Sequence, residues 1–238
     1  MIRWIFVLGL VGLIGCVPTV EPGPTTRPAP QQAAPQQPPA TPTRAKVQQF
    51  LNVVQRVEPV AERECRARAP RSNCDFRIVV DDRPGQPVNA YQTLDRSGRP
   101  VLAFTLPMIA SVRNADELAF VMGHEAAHHI AGHIPRQQQN AAAGAIILGG
   151  LAALTGAGQG VVDQAVDIGA GVGSRTFSKE FELEADAMGT VISHRAGFNP
   201  LRGVEFFSQI PDPGNRFLGT HPPNAQRVAT VRRVAAGL

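Results

Sequence analysis

The five residues His124-Glu125-Ala126-Ala127-His128 constrain this chain more than any others. Asn114, with Glu117 three residues later, has the pattern of a capping box, and Leu118, Val121, Met122, Ala126 and Ile130 continue at helical spacing towards Pro135. On such a helix four residues advance just over one turn. His124 and His128 therefore point to one side and can share a metal ion, whereas Glu125, about 100° away, can act on a water beside that ion without binding it. A mostly apolar helix buries two imidazoles and a carboxylate only at considerable cost unless they are paired or metal-bound.

A catalytic zinc site normally has three protein ligands and an open fourth position. The longer pattern HExxHxxGxxH fails by register, because its glycine and last histidine would fall on Ala131 and Ile134. His133 lies five residues past His128, turned about 140° from it, and His129 is also displaced. Both read as surface residues or as neighbours of the ligands. Downstream, Glu182 and Asp186 in Glu182-Leu183-Glu184-Ala185-Asp186 are four apart and share a helix face. One can bind the metal while the other accepts the second N–H of a ligand histidine. The alternative is an acidic helix start favoured by the macrodipole.

Together, the segment from Glu117 to His128, the Glu182–Asp186 motif and Thr220-His221-Pro222-Pro223 with Arg227 resemble the gluzincin peptidases related to the CAAX prenyl protease and HtpX. Within that family the chain resembles the exported, BepA-like and lipoprotein branch. The resemblance implies one zinc per chain held by His124, His128 and Glu182, with Glu125 as general base and Asp186 behind a ligand. It also implies a place for His221 near the zinc, as a switchable ligand or an oxyanion stabiliser. The alternative is that His221 caps the last helix. Lys179 stands where this family usually has Arg before the acidic motif. The implied activity is endopeptidase cleavage of unfolded or misfolded envelope proteins. Two other readings share these motifs: a non-catalytic, chaperone-like adaptor, and a zinc hydrolase of a non-peptide amide.

The front of the chain reads as targeting. Arg3 is followed by an apolar run from Trp4 to Ile14, too short to span a bilayer, and then by Leu13-Ile14-Gly15-Cys16. This resembles a bacterial lipoprotein signal, which implies cleavage after residue 15 and lipidation of Cys16. Val17 in place of Asp favours the periplasmic face of the outer membrane. A plain secretory signal with an incidental Cys is the alternative. Pro18 to Thr43 holds nine prolines and almost no large apolar residue, so residues 16–43 read as a semi-extended tether. Residues 44–238 remain for the peptidase domain.

That domain is expected to be α+β: a mainly helical zincin fold with a small antiparallel sheet beside the HExxH helix. Val47, Phe50, Leu51, Val54 and Val57 predict a helix near 45–68, kinked or restarted at Pro59. Phe76–Val80, Val88–Leu94 and Val101–Thr105 read as strands, with a turn at Asp95-Arg96-Ser97-Gly98. The Val101–Thr105 strand is the expected edge on which an extended substrate adds. In an exported chain Cys65 and Cys74 are expected to pair, two inert thiols being the alternative. The +4 formal charge comes from scattered arginines, and the cluster Arg63, Arg66, Arg68 and Arg71 reads as a solvated face; no nucleic-acid motif accompanies it. Ala141 to Gly158 carries no charge, but a span there would put Glu182 across the bilayer from the two histidines. It is read as an apolar hairpin or lid.

Overall fold

The computed structural model describes residues 41–176, 178–214 and 221–238, all within the compact unit Gln37–Leu238. The signal segment, Cys16 and all but the last residues of the tether lie outside the described residues. Helix α1, Arg44–Arg68, begins where the Thr43 side chain accepts from the Lys46 backbone N–H. Its buried stripe of Phe50, Val53, Val57, Val60 and Ala61 faces the core, and it runs through Pro59 as one helix. Arg63, Arg66 and Arg68 are exposed on α1, Arg66 paired with Glu62 and Arg68 with the buried Glu64, and Arg71 is exposed in the turn that follows. Cys65 and Cys74 form a disulfide that ties the end of α1 to the start of the sheet. Closing so short a loop adds about 2–3 kcal/mol by the chain-entropy argument.

Three strands follow, β1 Arg77–Asp81, β2 Ala90–Leu94 and β3 Pro100–Thr105. The turn between β2 and β3 is held by Asp95, whose Oδ1 accepts from the N–H groups of Ser97 and Arg99, while Gly98 takes a φ of 81°. The two strands are antiparallel, as that turn predicts. The order is β1-β3-β2, however, so β3 lies between its neighbours and β1 pairs with it in parallel. The sheet is thus mixed rather than wholly antiparallel: β1 and β3 both oppose β2 and must run together. It follows that Val101–Thr105 has no free edge, and the edges of the sheet belong to β1 and β2. Leu102, Ala103 and Phe104 are buried, and α2, Leu106–Ser111, starts directly from β3 with Thr105 as its cap.

Helix α3, Ala115–Ile130, occupies the middle of the molecule and is buried on nearly every side, as its apolar sequence requires. Asn114 Oδ1 accepts from the N–H groups of Asp116 and Glu117 at 3.0 Å each. The Glu117 carboxylate, itself buried, reaches past the cap residue to the N–H and guanidinium of Arg113. The helix stops at Ile130, short of Pro135, because Gly132 adopts a left-handed φ of 64°. Pro135 then falls in the first turn of the next helix, α4, His133–Leu154, where its missing N–H costs nothing.

Helix α6, Ser178–Arg195, packs across α3 at a glycine pair. A Cβ on Gly123 would lie 2.9 Å from the Gly189 carbonyl oxygen, and one on Gly189 would lie 2.8 Å from the His124 nitrogen. Helix α7, Pro200–Gly203, a 3-10 turn at Val204–Gln209 and α8, Asn224–Ala235, complete the core against α3 and α6. Between α3 and α6 the chain makes the expected apolar hairpin, α4 His133–Leu154 and α5 Gln159–Arg175. No helix among the described residues is long and apolar enough to cross a membrane.

Candidate metal centre

The one-turn spacing on α3 brings His124 Nε2 and His128 Nε2 to 3.0 Å of each other. The Gly123–Gly189 contact lets α6 come close enough for Glu182 to complete the group. Its Oε2 is 3.6 Å from His124 Nε2, and its Oε1 is 3.4 Å from His128 Nε2. One ligand atom from each residue can be chosen so that all three lie within 4.8 Å of one another. Bonds of about 2.0–2.1 Å in a tetrahedral site place donor atoms about 3.3 Å apart, so this set fits a zinc-sized ion without rebuilding. The donor chemistry, two imidazoles and one carboxylate, fits as well. Glu125 is buried beside them and lines the same cleft, and its negative charge helps hold His128 above its ordinary pKa against burial.

Each histidine is oriented from behind. Asp186, fully buried, meets His124 Nδ1 at 2.9 Å, so that nitrogen carries the proton and Nε2 presents its lone pair to the site. Arg227 donates to both Asp186 oxygens at 2.7 Å, and its guanidinium lies 3.9 Å above the Phe207 ring. The same guanidinium is 3.4 Å from Glu182. Burial opposes the charge on Glu182, but the hydrogen bond with His128, the neighbouring His124 and the positive charge of Arg227 outweigh it. They hold its carboxyl well below the usual carboxylate range.

Behind His128 the partner is another histidine. His128 Nδ1 and His133 Nδ1 are 2.7 Å apart, His133 Nε2 is 3.2 Å from Glu184, and Glu184 pairs with Arg136 at 2.8 Å. Burial and the neighbouring His128 push the His133 imidazole down to about 4. A neutral His133 accepts from His128 through Nδ1 and donates through Nε2 to Glu184. Its ring stacks on Phe181 with centroids 4.6 Å apart. His133→Phe should keep that stacking yet remove the acceptor. Zinc affinity, measured by competition with a chelator, is expected to fall about 10–100-fold; an unchanged affinity would show that His133 only fills space.

The cleft in front of these residues has a volume of about 400 Å³ and is walled by β2 on one side and by Phe181, Phe206 and Phe207 elsewhere. The core, the cleft and all three converging residues fall within residues 48–235, which match peptidase family M48. The chain belongs to that family. M48 members are metallopeptidases, in keeping with the donor set. Among characterised proteins, the chain is 32% identical over 144 residues to the "Beta-barrel assembly-enhancing protease" of Escherichia coli O157:H7. It is 31% identical over 144 residues to the proteins of that name in E. coli K12 and Shigella flexneri. Each match covers 51% of this chain and 28% of the relative, so the similarity spans less than a third of those proteins' length.

In this M48 site the fold brings His124, Glu125, His128, Glu182 and Asp186 together. His221, half-exposed at the cleft rim, has its Nε2 3.9 Å from Glu182; the residues 215–220 before it lie outside the described ones. His129 turns away to the Asn73 carbonyl. Two further residues acquire their roles only in the fold. Arg227 had a signal, since it falls in phase with Val231 and Val234 on the inward stripe of α8, where a charge needs a buried partner. His133 was read as a surface residue or a ligand's neighbour; it is buried and belongs to the second kind, because Gly132 redirects the chain after α3.

Proposed function

We propose that the chain is a zinc-dependent endopeptidase that hydrolyses unfolded or misfolded envelope proteins while anchored through Cys16 to the periplasmic face of the outer membrane. The observation that carries the catalytic part is the convergence of His124, His128 and Glu182 in a cleft that also contains Glu125. Those three residues would hold the zinc, which would supply Lewis acidity at the scissile carbonyl and bring the pKa of a water towards neutrality. Glu125 takes a proton from the attacking water and returns it to the departing amine. Asp186 and His133 fix the tautomers of the two histidines, and Arg227 keeps Asp186 ionised. His221 stands at the rim, where it stabilises the developing oxyanion.

Substrate adds to β2. This strand is one of the sheet's two edges, and it is residues Val88 to Gln92 that line the cleft beside the histidines. An extended peptide paired there is gripped by its backbone, which gives affinity with little sequence preference. Unfolded chains offer such segments and folded ones do not. The intact base distinguishes this reading from a chaperone-like adaptor, and the open edge strand distinguishes it from a hydrolase of small amides.

The test uses residues 37–238 and unfolded casein. Cleavage is expected to fall to background after chelation and to return with stoichiometric zinc. Cleavage indifferent to chelation would overturn the zinc-dependent mechanism, and an inert zinc-loaded domain would overturn the peptidase reading.

A further inference from the structure

Hairpin α4–α5 is built inside out. Its contact face is made of the smallest residues. A Cβ on Gly144 would lie 2.1 Å from the Gly169 carbonyl oxygen, one on Gly173 2.1 Å from that of Asn140, and one on Gly149 2.5 Å from Val166. The large apolar residues point outward instead: Ile146 is 75% exposed, Leu154 86%, and Ile147, Leu151, Val161 and Ile168 more than half. A helical hairpin stabilised by water would do the reverse, hiding Ile and Leu and showing Ala and Gly. Small residues in the seam, here with Gly169 and Gly173 four apart, and large apolar residues outside are how helices pair when hydrocarbon surrounds them.

Most of the exposed residues also share a side; Ile146, about 100° around α4 from Ile147, stands apart from them. Ile147, Leu151 and Leu154 form one strip along α4, and Val161, Ile168 and Val172 form one along α5. Taking the glycine contacts as the inward direction, 100° per residue puts both strips on the same side of the pair. Asp163 and Asp167 fall on the other side of α5, and both are exposed. No Lys or Arg occurs between Arg136 and Arg175.

We propose that this hairpin lies in the surface of a lipid bilayer, with the two strips in the boundary between headgroups and acyl chains and the aspartates turned to water. The absence of basic residues makes the association depend on apolar burial rather than on attraction to anionic lipid. A second copy of the chain or a client protein would also cover an apolar face. Neither accounts for the glycine seam, because a pair that packs against protein in water gains by placing its large residues between its own helices. The hairpin leads directly from the metal centre, since α4 starts at His133 and α5 ends just before the helix that carries Glu182. A chain resting on this face holds its cleft at a membrane surface. The inference does not depend on catalysis.

Residues 37–238, which lack the only tryptophan, Trp4, and the anchor, are mixed with vesicles of phosphatidylcholine and phosphatidylethanolamine and floated through a density gradient. The wild-type domain is expected to float with the vesicles at both low and high salt. Leu151→Asp with Leu154→Asp should lower the bound fraction at least tenfold and leave the thermal melt unchanged, because both side chains are exposed. Leu154→Trp adds a single fluorophore, whose emission should shift to the blue and be quenched by brominated lipid. A wild-type domain that stays in the lipid-free fraction, a double variant that floats equally well, or a tryptophan that does not shift would overturn the proposal. So would a solution dimer or a client complex that the double variant dissolves in the absence of any vesicle binding.

Discussion

Glu125→Gln should lower peptide hydrolysis by about 10²–10⁴-fold, the range expected when a positioned general base is removed. The substitution conserves shape and hydrogen-bonding reach but removes the carboxylate that accepts a proton. Glu125 is not one of the converging donor atoms, so zinc should remain bound at one per chain. That combination separates a base from a ligand. Loss of Glu182 would remove activity by removing the metal, whereas loss of Glu125 would leave the metal in place and the chemistry stalled. Activity is read as cleavage of unfolded casein by residues 37–238, and metal content by elemental analysis of the same preparation. A variant that lost both together would assign Glu125 to the ligand set.

Gly189→Val should damage the fold and the site at once. A Cβ there meets the backbone nitrogen of His124 at 2.8 Å and its Cα at 3.0 Å, and backbone has nowhere to go. A β-branched residue can be accommodated only by moving α6 away from α3. Overpacking of this kind costs about 1–3 kcal/mol, read as a lowered melting temperature. The same movement carries Glu182, two turns earlier on α6, away from His124 and His128, so zinc affinity should fall as well. Gly150→Ala in the hairpin is the control: an added Cβ meets nothing within 4 Å, and alanine is the better helix former. Its melting temperature should be unchanged or slightly raised. If Gly189→Val melted like the wild type and bound zinc normally, the tight crossing would not be what sets the geometry of the centre.

Much of the centre was legible in the sequence because a helix converts spacing into direction. His124 and His128 had to share a face, and so did Glu182 and Asp186. That the two helices meet was not implied by either spacing; it follows from Gly123 and Gly189, which look like two ordinary small residues until the helices are crossed. The sheet was legible strand by strand, and the β2–β3 hairpin by its turn, but strand order was not. The connection between β1 and β2 leaves room for β3 between them, so the edges fall to β1 and β2 rather than to β3. Pro59 was a poor guide because tertiary packing of Phe50, Val53, Val57 and Val60 carries α1 through it. Spacing left His133 as either a surface residue or a neighbour of the ligands; it is the neighbour, because Gly132 ends α3 and the turn that follows brings the ring behind His128. Arg227 was quoted for its place in a motif, and only its contacts with Asp186, Glu182 and Phe207 give it work.

The most direct measurement sets wild type and Glu125→Gln side by side, recording zinc per chain and casein cleavage for residues 37–238. One zinc in each protein, with cleavage by the wild type alone, is the predicted result. Equal cleavage by the two, or no zinc in either, would contradict a catalytic metal centre at His124, His128 and Glu182.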